Sequence, residues 1–312
     1  MPQNIVEALR EASINNLFRA SGFNSCFSTW KSQIRTLTPA NTPRQVINLG
    51  DHLSDIFALT KTAGRSQSEV SGGGSAWEAL MCWYLNFCLI GRRTVVVKHH
   101  KSLIPSPISD AITVNYHNFV SNTESDLIAI TFPDKAEYKA DKDTISVLDE
   151  NGIIVPVKAS KGRYNLNPIL NALSHRDFSD LEIHIIQCKT NWNDNAQIPM
   201  LWDMIYSAND FKVNITVGRN GYSIHDVNRF TYSFVTVPTS RIEGIKATST
   251  CVKRVAHISG GNYWGKATLN NVANSIKEML QRNLSSGHTS NHLTTLSVEL
   301  PKVNVDYSYF RL

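Results

Sequence analysis

The sequence predicts an α/β protein in which helices flank a mixed central β-sheet, with helical elaborations at the N-terminal and C-terminal ends. Three observations support this fold class. Apolar residues recur at helical spacing in the first 70 residues, strand-like runs dominate residues 94–237, and a further helical pattern covers residues 267–284. Helices that precede a series of strands are typical of a central sheet covered by helices.

The composition indicates a globular, soluble chain. Of its 312 residues 42% are hydrophobic and 18% are charged, which excludes a disordered chain. The most apolar run, residues 79–90, is too short to span a bilayer. A net charge of +5 is far below that of a histone-like protein, so a basic surface would have to be local. The five cysteines lack C-x-x-C spacing, which predicts reduced thiols in the cytoplasm.

Residues 1–70 are predicted to form an N-terminal helical region packed on the core. One helix is expected over residues 5–20, with Gly22 just beyond its end as a stop signal. A second is expected over residues 42–62, kinked or split because Gly50 weakens its middle.

The core is predicted to span residues 71–240. It begins with a flexible Ser-Gly-Gly-Gly-Ser sequence at residues 71–75, followed at 76–91 by a helix that is apolar nearly all round. A helix of this kind is buried, and Gly91 is expected as its C-terminal cap. Glu78 is its only acidic residue.

The remaining elements are shorter. Strands are expected at residues 94–97, 126–132, 144–148, 153–157, 181–189, 213–217, 223–224 and 231–237, and helices at 168–173 and 198–206. The Asp-Glu-Asn-Gly sequence at 149–152 predicts a hairpin turn, because Asn-Gly suits positive φ angles. The C-terminal region, residues 241–312, holds the helix at 267–284 and an alternating pattern typical of a final strand or arm. We expect the three regions to form one compact domain.

A lysine at the end of a buried strand needs a partner. Along residues 181–189 the alternation of a strand places Gln187 and Lys189 on one face, and Glu182 and His184 on the other. A buried ammonium costs several kcal/mol unless it meets an acid or a phosphate. The nearest upstream strand that starts with an acid begins at Asp126.

The sequence resembles the PD-(D/E)XK nuclease superfamily in three features. They are Asp126 at the start of one strand, Gln187-Cys188-Lys189 at the end of another, and Glu78 on the preceding helix. The resemblance covers residues 72–237. Gln187 stands where the family usually has an acid, and this Q-x-K form is similar to the Mrr-type branch. The resemblance implies a restriction-endonuclease-like core and a Mg²⁺-dependent type II restriction endonuclease of a restriction-modification system, which cuts double-stranded DNA as a homodimer.

The chemistry of phosphodiester hydrolysis fits these residue types. A hard cation such as Mg²⁺ prefers oxygen ligands and keeps room for water and phosphate oxygens. Asp126 would be the bridging ligand, and the Gln187 side-chain oxygen and the Cys188 main-chain carbonyl would add neutral ligands. Lys189 would orient the attacking water or offset charge on the phosphate. Glu78 would restore, through a water molecule, the charge that Gln187 lacks.

Two loops and one basic cluster are candidate DNA contacts. The cluster carries Lys98 and Lys101, which would contact phosphates. Both loops carry amides and aromatic rings, and one of them leaves the strand end directly after Lys189. The loop residues are Asn191, Trp192, Asn193, Asn195, Asn262, Tyr263 and Lys266.

Each assignment has a structural alternative. Ser75 and Glu78 also match a helix capping box. The alternative for Asp126 is an acid that closes a strand edge, and that for Lys189 is a strand-end lysine that reaches solvent; both rank below the functional interpretation. Asp134, in a literal Pro-Asp sequence, lies past its strand in a loop and ranks below Asp126.

Two other functions stay open. One is a repair or recombination nuclease of the same fold that reads DNA structure, and the other is a non-catalytic DNA-binding protein. A translocating motor is not encoded, because the glycine run at 72–74 lacks the lysine of a phosphate-binding loop.

Overall fold

A computed structural model describes most of the chain. The described residues are 3–60, 70–98, 100, 102–121, 125–190, 197–208, 214–236, 246, 248–263, 276, 279–280, 283–284 and 292–312. Most of the helix predicted at 267–284 lies outside them. So do six predicted DNA contacts: Lys101, Asn191, Trp192, Asn193, Asn195 and Lys266.

After an all-helical start, the described part of the chain combines helices with short strands. The helices are α1 (Ile5–Arg19), α2 (Ser21–Leu37), α3 (Pro43–Asn48), α4 (Leu53–Ala58), α5 (Val70–Cys88), α6 (Ser106–Ala111), α7 (Leu166–Arg176), α8 (Gln197–Ser207), α9 (Thr250–Val255) and α10 (His292–Glu299). The strands are β1 (Thr94–Lys98), β2 (Val114–Tyr116), β3 (Phe119–Ser121), β4 (Leu127–Thr131), β5 (Glu182–Lys189), β6 (Ile215–Val217), β7 (Arg229–Thr236) and β8 (Asn262–Tyr263). No helix in this part of the chain is long and apolar enough to cross a bilayer.

The central sheet is mixed and lies between helices, which confirms the predicted fold class. Its strand order is β1-β4-β5-β7-β8. The first three strands are antiparallel, whereas β5, β7 and β8 run parallel to one another. A second, three-stranded sheet of order β3-β2-β6 was not predicted.

The two faces of the central sheet belong to two separate apolar clusters. One cluster joins Val96, Ala129 and Ile186 to the buried residues of α5. The other joins Ile128 and Ile185 to residues of α6, α7 and α8. Because strand side chains alternate, every residue of β5 can be assigned to one face.

Helix α5 is the buried central helix that the sequence predicts. Its side chains from Leu80 to Leu85 are fully inaccessible to solvent. The helix ends at Cys88, and Gly91 follows in the turn with a φ of +72°, a value that favours glycine.

The outer edge of β1 is closed by side chains of α1 and α5. The Asn86 side chain accepts a hydrogen bond from the Val96 amide at 3.0 Å and donates one to its carbonyl at 2.6 Å. Ser13 donates to the same carbonyl, and buried Arg10 donates to the Thr94 carbonyl. An exposed strand edge invites pairing with another chain, so these contacts complete the sheet within the molecule.

The N-terminal predictions are correct in part. The helix at Ile5–Arg19 and the split into Pro43–Asn48 and Leu53–Ala58 are confirmed. Gly22 does not stop the helical region, because a new helix, Ser21–Leu37, begins one residue before it. A side chain at Gly22 would meet no atom within 4 Å, so this glycine fulfils no special backbone requirement.

Three other expectations were wrong. Helix α5 begins at Val70, so Ser75 lies inside it and cannot be its N-cap. The C-terminal tail is not a strand but forms 3₁₀ turns, and the Phe310 carbonyl accepts a hydrogen bond from the Trp83 indole at 3.2 Å. Residue 224 begins a 3₁₀ turn instead of a strand.

The predicted hairpin at 149–152 forms its turn but only one bridge. The Asp149 amide donates to the Ile153 carbonyl at 2.8 Å, and Gly152 has a φ of +76°. Leu148 and Ile154 form the single bridge beyond the turn. The two flanking segments therefore do not extend into strands.

Candidate active site

The start of β4 and the end of β5 meet at one end of the central sheet. Asp126 directly precedes β4, and Gln187-Cys188-Lys189 ends β5. The β4–β5 pairing closes at Leu127 opposite Ile186. The next amide of β5 that faces β4, that of Cys188, instead donates to Asp126 Oδ2 at 2.7 Å. The structure therefore brings together the acid and the Q-x-K sequence.

Gln187 and Lys189 share the sheet face opposite α5. The alternation of β5 places them with Ile185, whereas Cys188 faces the α5 cluster. Gln187 is fully buried, while Lys189 at the strand end is partly exposed. The amide thus lies inside the protein and the ammonium at its rim.

Glu78 approaches the site from the other face of the sheet. Helix α5 holds its carboxylate 3.0 Å from the Nζ of Lys98, the last residue of β1. Lys98 Nζ also donates to the Ser75 hydroxyl at 2.5 Å and to the Ser75 carbonyl at 3.1 Å. Lys98 was predicted to contact DNA. In the structure its ammonium lies between α5 and β1 and contacts Glu78 and Ser75 of α5.

Four charged groups act on one buried thiol, that of Cys188. Burial raises the pKa of this thiol well above its ordinary value, and the carboxylates of Asp126 and Glu78 raise it further. The ammonium groups of Lys98 and Lys189 act in the opposite direction. This shift favours the protonated form of the thiol. Asp126, Glu78, Lys98 and Lys189 therefore all lie within electrostatic range of this thiol.

The oxygen donors at the start of β4 and the end of β5 are of the type that a hard divalent cation prefers. They comprise the Asp126 carboxylate, the Gln187 amide oxygen and the Cys188 main-chain carbonyl, whereas Glu78 lies on the opposite face of the sheet. Within the described ranges no three His, Cys, Asp or Glu side chains are grouped so as to hold a metal ion. A cation here would therefore depend on the neutral oxygens, on water and on oxygens of its substrate.

The loop predicted at residues 260–266 begins at the same end of the sheet. β8 pairs Asn262 with Phe234 of β7, and Phe234 pairs with Gln187 of β5. Two strand spacings, or roughly 10 Å, therefore separate the backbones of Asn262 and Gln187.

The first residues of this loop are held tightly against β7. The Gly260 amide donates to the Tyr232 carbonyl at 2.7 Å. A Cβ at Gly260 would lie 2.0 Å from the Ser233 hydroxyl oxygen, so only glycine fits there. Asp203 of α8 also accepts hydrogen bonds from Ser259, a contact that the sequence did not reveal.

Residues that were ranked low lie elsewhere. Asp134 follows the far end of β4 and forms an ion pair with Lys139. Glu182 and His184 lie on the face opposite Gln187 and Lys189, as predicted. Both are buried against α5, and His184 Nδ1 lies 2.7 Å from the Thr231 hydroxyl. Burial lowers the pKa of His184, which favours its neutral form.

The Lys98–Glu78 pair is the feature that sequence reasoning missed. Its signal was present, because Lys98 lies two residues after Val96 on one face of a strand that directly follows α5.

A comparison of the sequence with protein-family models and with curated proteins finds no match.

Proposed function

We propose that this protein is a Mg²⁺-dependent endodeoxyribonuclease that cuts double-stranded DNA at a specific sequence, as type II restriction enzymes do. The observation that supports this best is the 2.7 Å hydrogen bond from the Cys188 amide to Asp126. This bond links Asp126, which precedes β4, to the Q-x-K sequence at the end of the neighbouring strand β5. The mixed sheet flanked by helices is also the architecture that the resemblance implies.

Asp126, the Gln187 amide oxygen and the Cys188 carbonyl would hold the cation. When bound, Mg²⁺ supplies positive charge at the phosphate oxygens and acidifies a water molecule. The hydrogen bond from Cys188 orients the Asp126 carboxylate at the sheet end. The partly exposed Lys189 ammonium is positioned to offset negative charge on the phosphate and to orient the attacking water. Cutting both strands of a symmetric site takes two such centres, so we propose a homodimer.

A plasmid digest tests this proposal. The wild type is incubated with supercoiled plasmid and Mg²⁺ beside Asp126→Asn, Lys189→Ala and Lys158→Ala, which changes an exposed lysine outside the site. We expect discrete fragments from the wild type and Lys158→Ala, and none when EDTA removes the metal. Both site variants should cut at least about a hundredfold more slowly. Undiminished cutting by Lys189→Ala would contradict the proposed mechanism.

The same digest separates the two alternative functions. A smear, or cutting restricted to branched DNA, would indicate a repair or recombination nuclease. DNA binding without cleavage in either Mg²⁺ or Mn²⁺ would indicate a non-catalytic DNA-binding protein. One observation favours the non-catalytic DNA-binding protein. Gln187 carries no charge, and Glu78 is paired with Lys98, so little negative charge remains to attract a cation.

A further inference from the structure

The hairpin formed by β2 and β3 carries two exposed aromatic rings at its tip. Tyr116 and Phe119 are direct cross-strand partners, so their side chains lie on the same face of the three-stranded sheet. They are 54% and 65% exposed, whereas Val114, two residues before Tyr116 on that face, is buried. The apolar face therefore runs from the core into solvent and ends in the two rings.

The hairpin tip is held in place by the strand next to it. β2 is the middle strand of its sheet and pairs with β3 on one side and β6 on the other. The His117 amide donates to the Asn214 carbonyl at 2.8 Å, and the Asn115 side chain donates to the Gly218 carbonyl at 2.9 Å. A projection that is fixed in advance loses less conformational entropy on binding than a flexible loop does.

The hairpin lies close to the candidate active site along the chain. Phe119 precedes Asp126 by seven residues, so their Cα atoms are at most roughly 25 Å apart. Val114 packs in the same apolar cluster as Ile185, on the face of β5 that carries the Q-x-K residues. Because a duplex rises 3.4 Å per base pair, that distance corresponds to about seven base pairs. DNA bound at Asp126 therefore extends as far as the tip.

The size and chemistry of the tip favour DNA bases over a protein surface. A stable protein interface buries roughly 800 Å² on each partner, whereas two rings that are about half exposed offer roughly 250 Å². A wedge between two base pairs takes only one or two apolar side chains. Residues 113–121 include no acid that would repel phosphates, and the turn residues His117 and Asn118 have side chains that form hydrogen bonds with base edges.

On the basis of the proposed function, we propose that the hairpin tip is a DNA wedge, in which Tyr116 and Phe119 stack against base pairs of the bound duplex and open one base step. The free energy of unstacking is offset because the bent duplex contacts more of the protein surface. No cation takes part in this contact. The wedge should therefore form without Mg²⁺ and independently of cleavage.

Filter binding of the linearised plasmid, in EDTA so that the DNA stays intact, tests this inference. The wild type is compared with Tyr116→Ala/Phe119→Ala and with Ile153→Ala/Ile154→Ala, which removes two equally exposed apolar side chains from another turn. The tip variant should bind at least about tenfold more weakly, and the control should bind like the wild type. Equal affinities of the tip variant and the wild type would overturn the inference.

Two further measurements separate stacking from a structural role of the rings. Tyr116→Phe/Phe119→Tyr keeps both rings and should retain the wild-type affinity. Opening a base step also unwinds the duplex, so a plasmid relaxed in EDTA by a topoisomerase that needs no metal should change its linking number when the wild type is bound. An unchanged linking number would rule out the wedge. If Tyr116→Ala/Phe119→Ala fails to fold, Phe119→Ala replaces it in each comparison.

A contact between two copies of the chain would give a different result. Sedimentation velocity without DNA should give the same mass for the wild type and Tyr116→Ala/Phe119→Ala. If the substitutions halve the mass, the tip belongs to a subunit interface and the wedge is overturned.

The failure of the wedge can also be told apart from that of the nuclease proposal. If the wild type cuts the plasmid and the tip variant binds DNA equally well, the wedge fails and the nuclease proposal stands. If the tip variant loses DNA binding but the wild type cuts nothing in Mg²⁺, the wedge stands and the nuclease proposal fails. If the wild type neither binds nor cuts DNA, both fail.

Discussion

The Cys188 amide of β5 donates a 2.7 Å hydrogen bond to the Asp126 carboxylate. A side chain thus takes the place of the main-chain carbonyl with which β4 would otherwise pair this amide. One carboxylate therefore closes the strand pair and points an acid at the Q-x-K sequence. The structural and the catalytic interpretations of Asp126 are compatible, because each uses the same fixed orientation.

Substitutions of Asp126 should separate its two roles. Asparagine keeps an oxygen acceptor for the Cys188 amide, so Asp126→Asn should retain its unfolding free energy but lose cleavage. Alanine leaves that amide without its partner, and Asp126→Ala should lose roughly 1–3 kcal/mol of stability as well. Urea unfolding and plasmid cleavage measure the two effects. Equal stability of the two variants would contradict the structural role.

Gln187→Glu should make the thermal stability of the protein more dependent on Mg²⁺. A carboxylate at this fully buried position should lower the unfolding free energy without Mg²⁺ by roughly 1–3 kcal/mol. Because the added charge attracts the cation, Mg²⁺ should raise the thermal midpoint more than it does in the wild type. Thermal unfolding with and without Mg²⁺ measures this. Gln197→Glu, the same change at an exposed helix position, is the control and should show neither effect.

Asn86→Ala should destabilise the fold without touching the site. It removes both partners of the Val96 backbone at the outer edge of β1. Two buried backbone groups without partners should cost at least about 2 kcal/mol in urea unfolding. Asn118→Ala, at an exposed hairpin position, should change the unfolding free energy by less than about 0.5 kcal/mol. Similar losses in the two variants would show that Asn86 does not close this edge.

Acid should destabilise the protein through His292. Burial lowers the pKa of this histidine to about 4, and its Nε2 lies 2.7 Å from the Leu280 carbonyl. Between that value and the unfolded pKa of about 6.5, the unfolded chain binds the extra proton, so stability falls as the pH falls. This residue should contribute a loss of up to about 3 kcal/mol between pH 7 and pH 4.

His292→Gln should flatten this pH dependence, because glutamine can donate to the same carbonyl but does not titrate. Urea unfolding at several pH values measures the difference from the wild type. His184 is also buried and has a lowered pKa, so part of the acid sensitivity should persist in the variant. His225→Gln, at an exposed position, should retain the wild-type profile. A variant at position 292 with that same profile would contradict the assignment.

The sequence by itself determined the elements and their order around the site. The buried character of α5, the strands β1, β4, β5 and β7, and the split near Gly50 follow from apolar spacing and from glycine and proline positions. These signals are local, because each depends on residues within a few positions of one another. Alternation along β5 likewise separated Gln187 and Lys189 from Glu182 and His184.

Only the tertiary structure decided which charges meet. Lys98 and Glu78 lie on different elements, and the packing of α5 against β1 brings them to 3.0 Å. The C-terminal tail shows the same limit, since its alternating pattern is typical of a strand but its contact with Trp83 holds it in 3₁₀ turns. Local pattern sets which conformations a segment favours, whereas burial against distant elements selects among them and brings charged side chains of different elements together.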